Sequence, residues 1–112
     1  MKQITNITAD SAQRHTILVG DKTIVLTLKF LEVASIWCFD IEYNGFSKYG
    51  FKLSLNVQHL NNYNLPFDFI IRDTTNTGID PFQIDDFFSG RIEMYILEAD
   101  DLLGLRGYSV AL

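Results

Sequence analysis

Paired carboxylates and two histidines are the side chains of this sequence that could support catalysis. Asp85 and Asp86 are adjacent, and two carboxylates with a distant histidine can act as general acid and base in a hydrolase or isomerase. His15 and His59 have no further ligand at a spacing typical of a metal site. We therefore expect both histidines to be solvated or hydrogen-bonded structural residues, and we predict no catalytic residue, no cofactor and no metal site.

Other motifs of enzymes and metal sites are missing from the sequence. The acidic stretch EADD at 98–101 lacks the alternation, the glycine and the terminal Glu of a calcium-binding EF-hand loop, so a solvated turn or a helix start is expected there. There is no glycine-rich phosphate loop and no Gly-x-Ser-x-Gly motif. The single Cys38 excludes an internal disulfide and is expected to be a small packed residue of a protein from a reducing compartment. The sequence does not favour an enzyme.

Size and composition predict one folded domain over residues 1–112. The chain has 47% hydrophobic and 13% aromatic residues, which is too much apolar material for a disordered protein. The net charge is −5, and only nine residues are Lys or Arg, so direct binding to nucleic acid is not expected. No stretch has the length and hydrophobicity of a secretory signal or of a membrane span. We expect a soluble protein that is made in the cytoplasm.

The clearest structural signal is a β-hairpin in the stretch SIWCFDIEYNGFSKYGFKLSL, residues 35–55. Apolar and aromatic residues occupy every second position of its first half, which is typical of a strand with one buried face. These positions are Trp37, Phe39, Ile41 and Tyr43. Asn44 and Gly45 tolerate the positive φ angles of a type I′ turn, and Gly50 could introduce a bulge or shift the start of the return strand. The hairpin is preceded by an alternating segment at 22–31, which we predict as a strand.

The remaining segments complete a mainly β protein. Further strands are predicted at 2–8, 15–20, 51–55, 67–73 and 91–98. The Asn-rich segment 56–66 is predicted to be a loop with one helical turn. Asp80 as N-cap and Pro81 at the first position predict a short helix or turn that ends at Gly90. Its predicted buried residues are Phe82, Ile84, Phe87 and Phe88. The fold class is a compact antiparallel β-sandwich or barrel of about six or seven strands with one or two short helical turns.

The carboxyl-terminal stretch DDLLGLRGYSVAL contains apolar residues that are interrupted by two glycines. One interpretation is a last strand that closes the sheet. The other is an arm, residues 100–112, that docks on a neighbouring subunit through Leu102, Leu103 and Leu105. Phe46 and Tyr49, in the hairpin connection, have the same two interpretations, because aromatic loop residues can be contact residues or ordinary surface residues.

A family resemblance covers about 75 residues, from Thr23 to Leu97. The succession TLKFLEVASIWCFDIEYNGFSKYGFKLSLN, LPFDFIIRDT and DDFFSGRIEMYIL resembles the small baseplate plug proteins of phages with contractile tails. The matching residues are Trp37, Asp40, Tyr43, Asn44, Gly45, Gly50, Leu53, Asp73, Phe87, Gly90, Arg91 and Tyr95. The departures are the Asn-rich segment 56–66, where a Gly- or Pro-rich turn is expected, and both termini.

The resemblance implies a non-enzymatic structural component of the virion, placed in the tail baseplate near the central hub and the start of the tail tube. Its partners would be other baseplate, hub or tail-tube proteins, and the protein would be oligomeric within the assembly after synthesis in the host cytoplasm. A small β domain without a chemical site usually acts through its surface, which agrees with this expectation. The alternative is a small ligand-binding β-barrel protein, since the aromatic stripes could also line an apolar cavity.

Overall fold

Seven strands form two antiparallel sheets in the computed structural model, which describes residues 1–106 and the side chains of residues 1–103. The strands are β1 (Lys2–Ile4), β2 (Ala12–Val19), β3 (Lys22–Leu31), β4 (Ile36–Tyr43), β5 (Phe46–Lys52), β6 (Asp68–Asp73) and β7 (Ile92–Leu97). One sheet has the order β2-β3-β4-β5 and the other has the order β1-β7-β6. The fold is therefore mainly β, as predicted, and its strands belong to two separate sheets.

One hydrophobic cluster contains residues of both sheets. The alternating pattern explains which residues enter it, because every second side chain of a strand points to the same face. The four-stranded sheet contributes Ile24, Leu26, Leu28, Trp37, Phe39 and Ile41, and the three-stranded sheet contributes Phe69, Ile71, Ile92, Met94 and Ile96. The rings of Phe39 on β4 and Phe69 on β6 meet edge to face, with 5.7 Å between their centroids. The core is thus built from the predicted inner faces.

The predicted hairpin is confirmed, including its turn. Asn44 and Gly45 have φ angles of 48° and 84°, the positive values that a type I′ turn requires. The pairing of β4 with β5 shifts between Phe39 and Ile41, and Gly50, opposite this shift, has a φ of 79°. The bulge predicted at Gly50 is therefore present.

The residues that follow β7 form a helix. Helix α1 spans Ala99–Arg106, so the prediction of a last strand is wrong for these residues. The Asp101 carboxylate accepts a hydrogen bond of 3.0 Å from the Glu98 N–H, and the Leu102 N–H donates to the Glu98 carbonyl oxygen at 3.0 Å. Acidic residues stabilise the first turn of a helix and cap its free N–H groups, which explains why the EADD stretch starts a helix. Residues 107–112 lie outside the described part.

The segment between β5 and β6 lies along the outer edge of β6. It contains the predicted helical turn, a 3-10 turn at Asn61–Tyr63. The Asn56 N–H donates to the Ile71 carbonyl oxygen at 3.2 Å, and the His59 ring Nδ1 contacts the Phe69 carbonyl oxygen at 2.8 Å. This segment therefore covers an edge that would otherwise expose unpaired backbone groups.

Candidate interaction site

Arg91 connects both ends of the long loop between β6 and β7. Its Nε and Nη2 donate to the two carboxylate oxygens of Asp86, at 2.8 and 3.0 Å. Its Nη1 donates to the Ile79 carbonyl oxygen at 3.1 Å, and Nη2 also donates to the Asp80 carbonyl oxygen at 3.2 Å. A planar guanidinium has five N–H donors in a fixed arrangement, which suits this simultaneous contact with a carboxylate and two carbonyls.

Asp86 accepts hydrogen bonds from the backbone in the middle of the same loop. Its Oδ2 accepts hydrogen bonds from the N–H groups of Phe82 and Gln83, at 2.7 and 2.9 Å. Burial acts to raise the pKa of Asp86, but the hydrogen bonds from Arg91 and from these two amides outweigh it and hold the pKa below its ordinary value. The Asp86 carboxylate is therefore charged and buried, and both of its oxygens accept hydrogen bonds.

Asp73 binds the first residues of the loop between β6 and β7. Its carboxylate accepts hydrogen bonds from the N–H and hydroxyl groups of Thr75 and Thr77 and from the N–H of Gly78, all between 2.6 and 2.9 Å. The two threonine hydroxyls are the main reason that the pKa of Asp73 lies far below its ordinary value. Arg91 Nη1 lies 3.7 Å from Asp73 Oδ1, so the two acidic residues share one cation.

Trp37 anchors the loop to the four-stranded sheet. Its indole Nε1 donates to the Gln83 carbonyl oxygen at 2.9 Å, and the ring meets Phe87 edge to face with 5.3 Å between centroids. Trp37 and Phe87 are both buried. The Trp37–Gln83 bond satisfies the indole N–H inside the core and fixes the far side of the loop.

These contacts leave an apolar surface exposed on the loop. We use the name apolar loop for residues 79–88, whose exposed apolar side chains are Ile79, Phe82, Ile84 and Phe88. The prediction that Phe82, Ile84 and Phe88 are buried is therefore wrong, and it is correct only for Phe87. The apolar loop is a turn without helix. Its predicted N-cap, Asp80, instead accepts a hydrogen bond of 2.9 Å from the Leu55 N–H.

The hairpin residues singled out in the sequence have mainly structural positions. Asp40 lies opposite the bulge, where its Oδ1 accepts from the Gly50 N–H at 2.8 Å and its Oδ2 lies 2.7 Å from Lys29 Nζ. Tyr43 packs edge to face against Phe67, with 4.9 Å between centroids. These contacts fix the hairpin on the sheet and on the core.

Of the residues that the sequence predicts as partner contacts, some are buried in the structure and others are exposed. Phe46 is half-buried and packs against the core, whereas the side chain of Tyr49 is 68% exposed. On α1, Leu102 is buried and Leu103 is exposed. Leu105 lies outside the part of the chain whose side chains are described. Tyr49 and Leu103 are therefore the two of these residues whose side chains are exposed.

The histidines have structural partners. His59 Nε2 accepts a hydrogen bond of 3.0 Å from the Ser54 N–H, and Nδ1 lies 2.8 Å from the Phe69 carbonyl oxygen, which defines the tautomer with hydrogen on Nδ1. His15 is buried, its Nε2 lies 2.8 Å from Gln13 Oε1, and burial lowers the pKa of His15. The prediction of hydrogen-bonded structural histidines is confirmed for both.

The described residues place no chemical site beside the apolar loop. Within residues 1–106, no three His, Cys, Asp or Glu residues are grouped so that they could hold a metal ion. Asp85 and Asp86 have different surroundings, because Asp86 is bound to Arg91 while the Asp85 side chain is exposed. In this same part of the chain, no helix has the length and hydrophobicity needed to cross a membrane.

The Arg91 cluster is the feature that sequence reasoning missed. Here the Arg91 cluster means Asp73, Asp86 and Arg91. The sequence predicts Asp73 and Arg91 only as positions shared with a family, and it predicts no contact among the three residues. The available signal was the combination of one Arg with several acidic residues in a segment that is rich in turn-forming residues. Such a combination does not identify which carboxylate the arginine binds.

Comparison with known proteins identifies the family. A search of curated proteins gave no match. The family model described as cyanophage baseplate Pam3 plug gp18 matches residues 1–99 of the 112. This match includes the hairpin, the Arg91 cluster and the apolar loop, and it confirms the resemblance found in the sequence. The chain belongs to the cyanophage baseplate Pam3 plug family, whose members are structural proteins of the phage tail baseplate.

Proposed function

We propose that this protein is a non-catalytic plug that binds other baseplate proteins near the central hub and the start of the tail tube. Family membership supports a place in the baseplate of the virion tail, assembled with other baseplate components. The proposal adds the contacts with hub and tube, the absence of catalysis and the surface that makes the contacts. The domain of residues 1–112 would act as one unit, with the tail 100–112 as a second docking element.

The observation that carries the proposal is the exposure of four apolar side chains on a loop that is held in one conformation. Exposed apolar side chains that cluster on one segment are typical of a contact surface. Asp86 and Arg91 fix the backbone of the apolar loop through charged hydrogen bonds, and Trp37 fixes it to the sheet. Asp73 binds residues 75–78, directly before the apolar loop. A loop that is already ordered loses little conformational entropy when a partner binds, so its apolar residues can contribute more to affinity.

Two further positions are proposed as contacts with the hub or the tube. Tyr49 lies on β5, an edge strand of the four-stranded sheet, and Leu103 lies on α1. Both side chains are exposed, whereas Phe46 is half-buried and Leu102 is buried. Aromatic and large aliphatic residues at such positions are suited to fill a pocket on a partner.

The alternative of a ligand-binding barrel has little support from the geometry. The strands form two sheets with separate edges. A small cavity beside Ile4, Phe87 and Met94 has a volume of about 40 Å³, close to the ~30 Å³ that one water molecule occupies. Sites for small molecules usually measure roughly 300 to 1,000 Å³. This cavity is therefore too small for a metabolite, and the two larger hollows, of about 300 and 240 Å³, are open surface grooves.

The test is complementation of a phage that lacks this gene. The variant Phe82→Ser/Phe88→Ser removes exposed aromatic side chains of the apolar loop, and we expect it to fold but to give at least tenfold fewer complete tails. Its melting temperature should fall slightly, because the Phe82 ring also lies 5.3 Å from the Arg91 guanidinium. The matched control is Val33→Ser, a change at an exposed apolar residue in the turn between β3 and β4. Normal tail numbers with the double variant would contradict the proposal.

A further inference from the structure

A shallow groove lies between β1 and β2. It is lined by residues of β1, of the turn that follows it and of β2, and its volume is about 240 Å³. Its apolar lining comes from Ile4, Ile17, Leu18 and Ile96. Leu18 is 65% exposed although it is a large aliphatic residue. Since one water molecule occupies ~30 Å³, the groove has room for a large side chain.

The register of the strands places the β2 side of the groove, Ile17 and Leu18, far from the apolar loop, while Ile4 on its other side also lines the small cavity beside Phe87. Trp37, which binds the loop through Gln83, pairs with Phe30 on β3, whereas Ile17 in the groove pairs with Ile24 at the other end of β3. Six residues of an extended strand span about 20 Å. The same order holds on β7, where the Ile92 N–H bonds to the loop at 3.0 Å and Ile96 lines the groove.

The two surfaces carry opposite charges beside their apolar residues. Asp85 lies between Ile84 and Phe88 in the apolar loop, and its carboxylate has no ion-pair partner within the described residues. Lys2 lies at the groove, is exposed, and likewise has no ion-pair partner within that part of the chain. An acidic, apolar projection and an apolar groove with a cation at its side would attract each other in the correct orientation.

We infer that the apolar loop of one copy of this protein docks into the groove between β1 and β2 of the next copy. The contact rests on the proposed function of the loop as a contact surface, and it names a second copy as the partner. Phe88, the most exposed aromatic residue of the loop, enters the groove beside Leu18, and Asp85 pairs with Lys2. The contact is heterologous, since two different surfaces meet, and repeated contacts of this kind build a ring or a stack.

Disulfide trapping tests the contact directly. Lys2→Cys and Asp85→Cys are prepared separately and mixed under mild oxidation, while the native Cys38 is buried and stays unreactive. We expect the mixture to form disulfide-linked dimers at least tenfold faster than either variant alone. The control is a mixture of Lys2→Cys with Glu42→Cys, which places the thiol at an exposed acidic position on the outer face of β4. Equal rates in both mixtures would overturn the inference, and so would rapid pairing of Asp85→Cys with itself.

Sedimentation of the untagged protein over a range of concentrations gives a second readout. Phe88→Asp should weaken self-association at least tenfold, whereas Tyr49→Asp should leave it unchanged, although the two side chains are 70% and 68% exposed. The charge reversals Lys2→Glu and Asp85→Lys should each weaken association, and their combination should restore it. Equal effects of Phe88→Asp and Tyr49→Asp would contradict the inference. If Phe82→Ser/Phe88→Ser blocks tail assembly while no association or trapping is detected, the second copy is the wrong partner and the proposed function stands.

Discussion

Arg91 and Asp86 form a two-point ion pair in which Nε and Nη2 reach separate carboxylate oxygens, at 2.8 and 3.0 Å. The pair links the start of β7 to the middle of the preceding loop. Both side chains are largely shielded from water, so their mutual attraction is screened less than that of a surface pair. Together with the bonds of Asp86 and Arg91 to the loop backbone, this contact explains how a long loop without regular secondary structure can present exposed apolar residues.

Removing Arg91 should destabilise the protein strongly. In Arg91→Ala the buried Asp86 loses its cation, and breaking a buried pair in this way typically costs about 3 to 5 kcal/mol of unfolding free energy. Chemical denaturation measures the change. The control is Arg72→Ala, which breaks an exposed pair with Glu93 and should have a much smaller effect, because water screens an exposed pair. A similar cost for both variants would show that the Arg91–Asp86 pair does not organise the loop.

The Arg91–Asp86 pair should also make stability depend on acidic pH. The folded state holds the pKa of Asp86 below its ordinary value of 3.8. The stability from this carboxylate is therefore fully present above that ordinary value and is lost as the pH falls through the lower folded value. Denaturation between pH 5 and pH 2 should show a steeper loss for the native chain than for Asp86→Asn. Parallel curves would contradict this assignment.

Trp37→Ala should destabilise the folded protein, whereas Phe88→Ala should leave its stability almost unchanged. Trp37→Ala removes a fully buried ring and its hydrogen bond to Gln83, and large aromatic truncations in cores cost about 3 to 5 kcal/mol. Phe88→Ala removes an exposed ring and should change stability by no more than about 0.5 kcal/mol. Thermal melting measures both. If Trp37→Ala melts normally but assembly is lost, Trp37 belongs to an interface rather than to the core.

The bulge in the hairpin should depend on the backbone conformation of Gly50. Its φ of 79° lies in the left-handed region, where a side chain costs roughly 1 to 2 kcal/mol, so Gly50→Ala should lower the unfolding free energy by about that amount. No atom lies within 4 Å of an added Cβ, so steric overlap contributes nothing. Gly50→Asn is the matched variant and should cost less, because Asn adopts this region more readily. Equal losses would show that strain at φ is not the cause.

The hairpin and the core could be predicted because their signals are local. Alternation along β3 and β4 and the Asn44-Gly45 pair each specify structure within a few residues, and the inner faces follow from them. The apolar loop could not be predicted in the same way. Its apolar residues suggested burial, but the conformation is set by Asp73 and Arg91, which are distant in sequence and meet only when β6 pairs with β7.

The carboxyl-terminal segment shows a second limit of sequence reasoning. Its apolar residues and glycines were compatible with a strand, but Glu98 and Asp101 favour a helix start through local hydrogen bonds. The candidate contacts are also only partly predictable. Tyr49 and Phe46 are both aromatic residues of the same strand, and only the three-dimensional packing shows that Tyr49 points outward while Phe46 packs against Tyr63.

Hydroxyl-radical footprinting of the free protein and of assembled tails tests the central claim most directly, since it measures the exposure of each side chain. The account predicts that Phe82 and Phe88 are oxidised rapidly in the free protein and are at least fivefold protected in tails. The buried Phe69 should be unreactive in both samples and serves as the internal reference. Equal oxidation of Phe82 and Phe88 in the two samples would contradict the claim that the apolar loop is a contact surface of the baseplate.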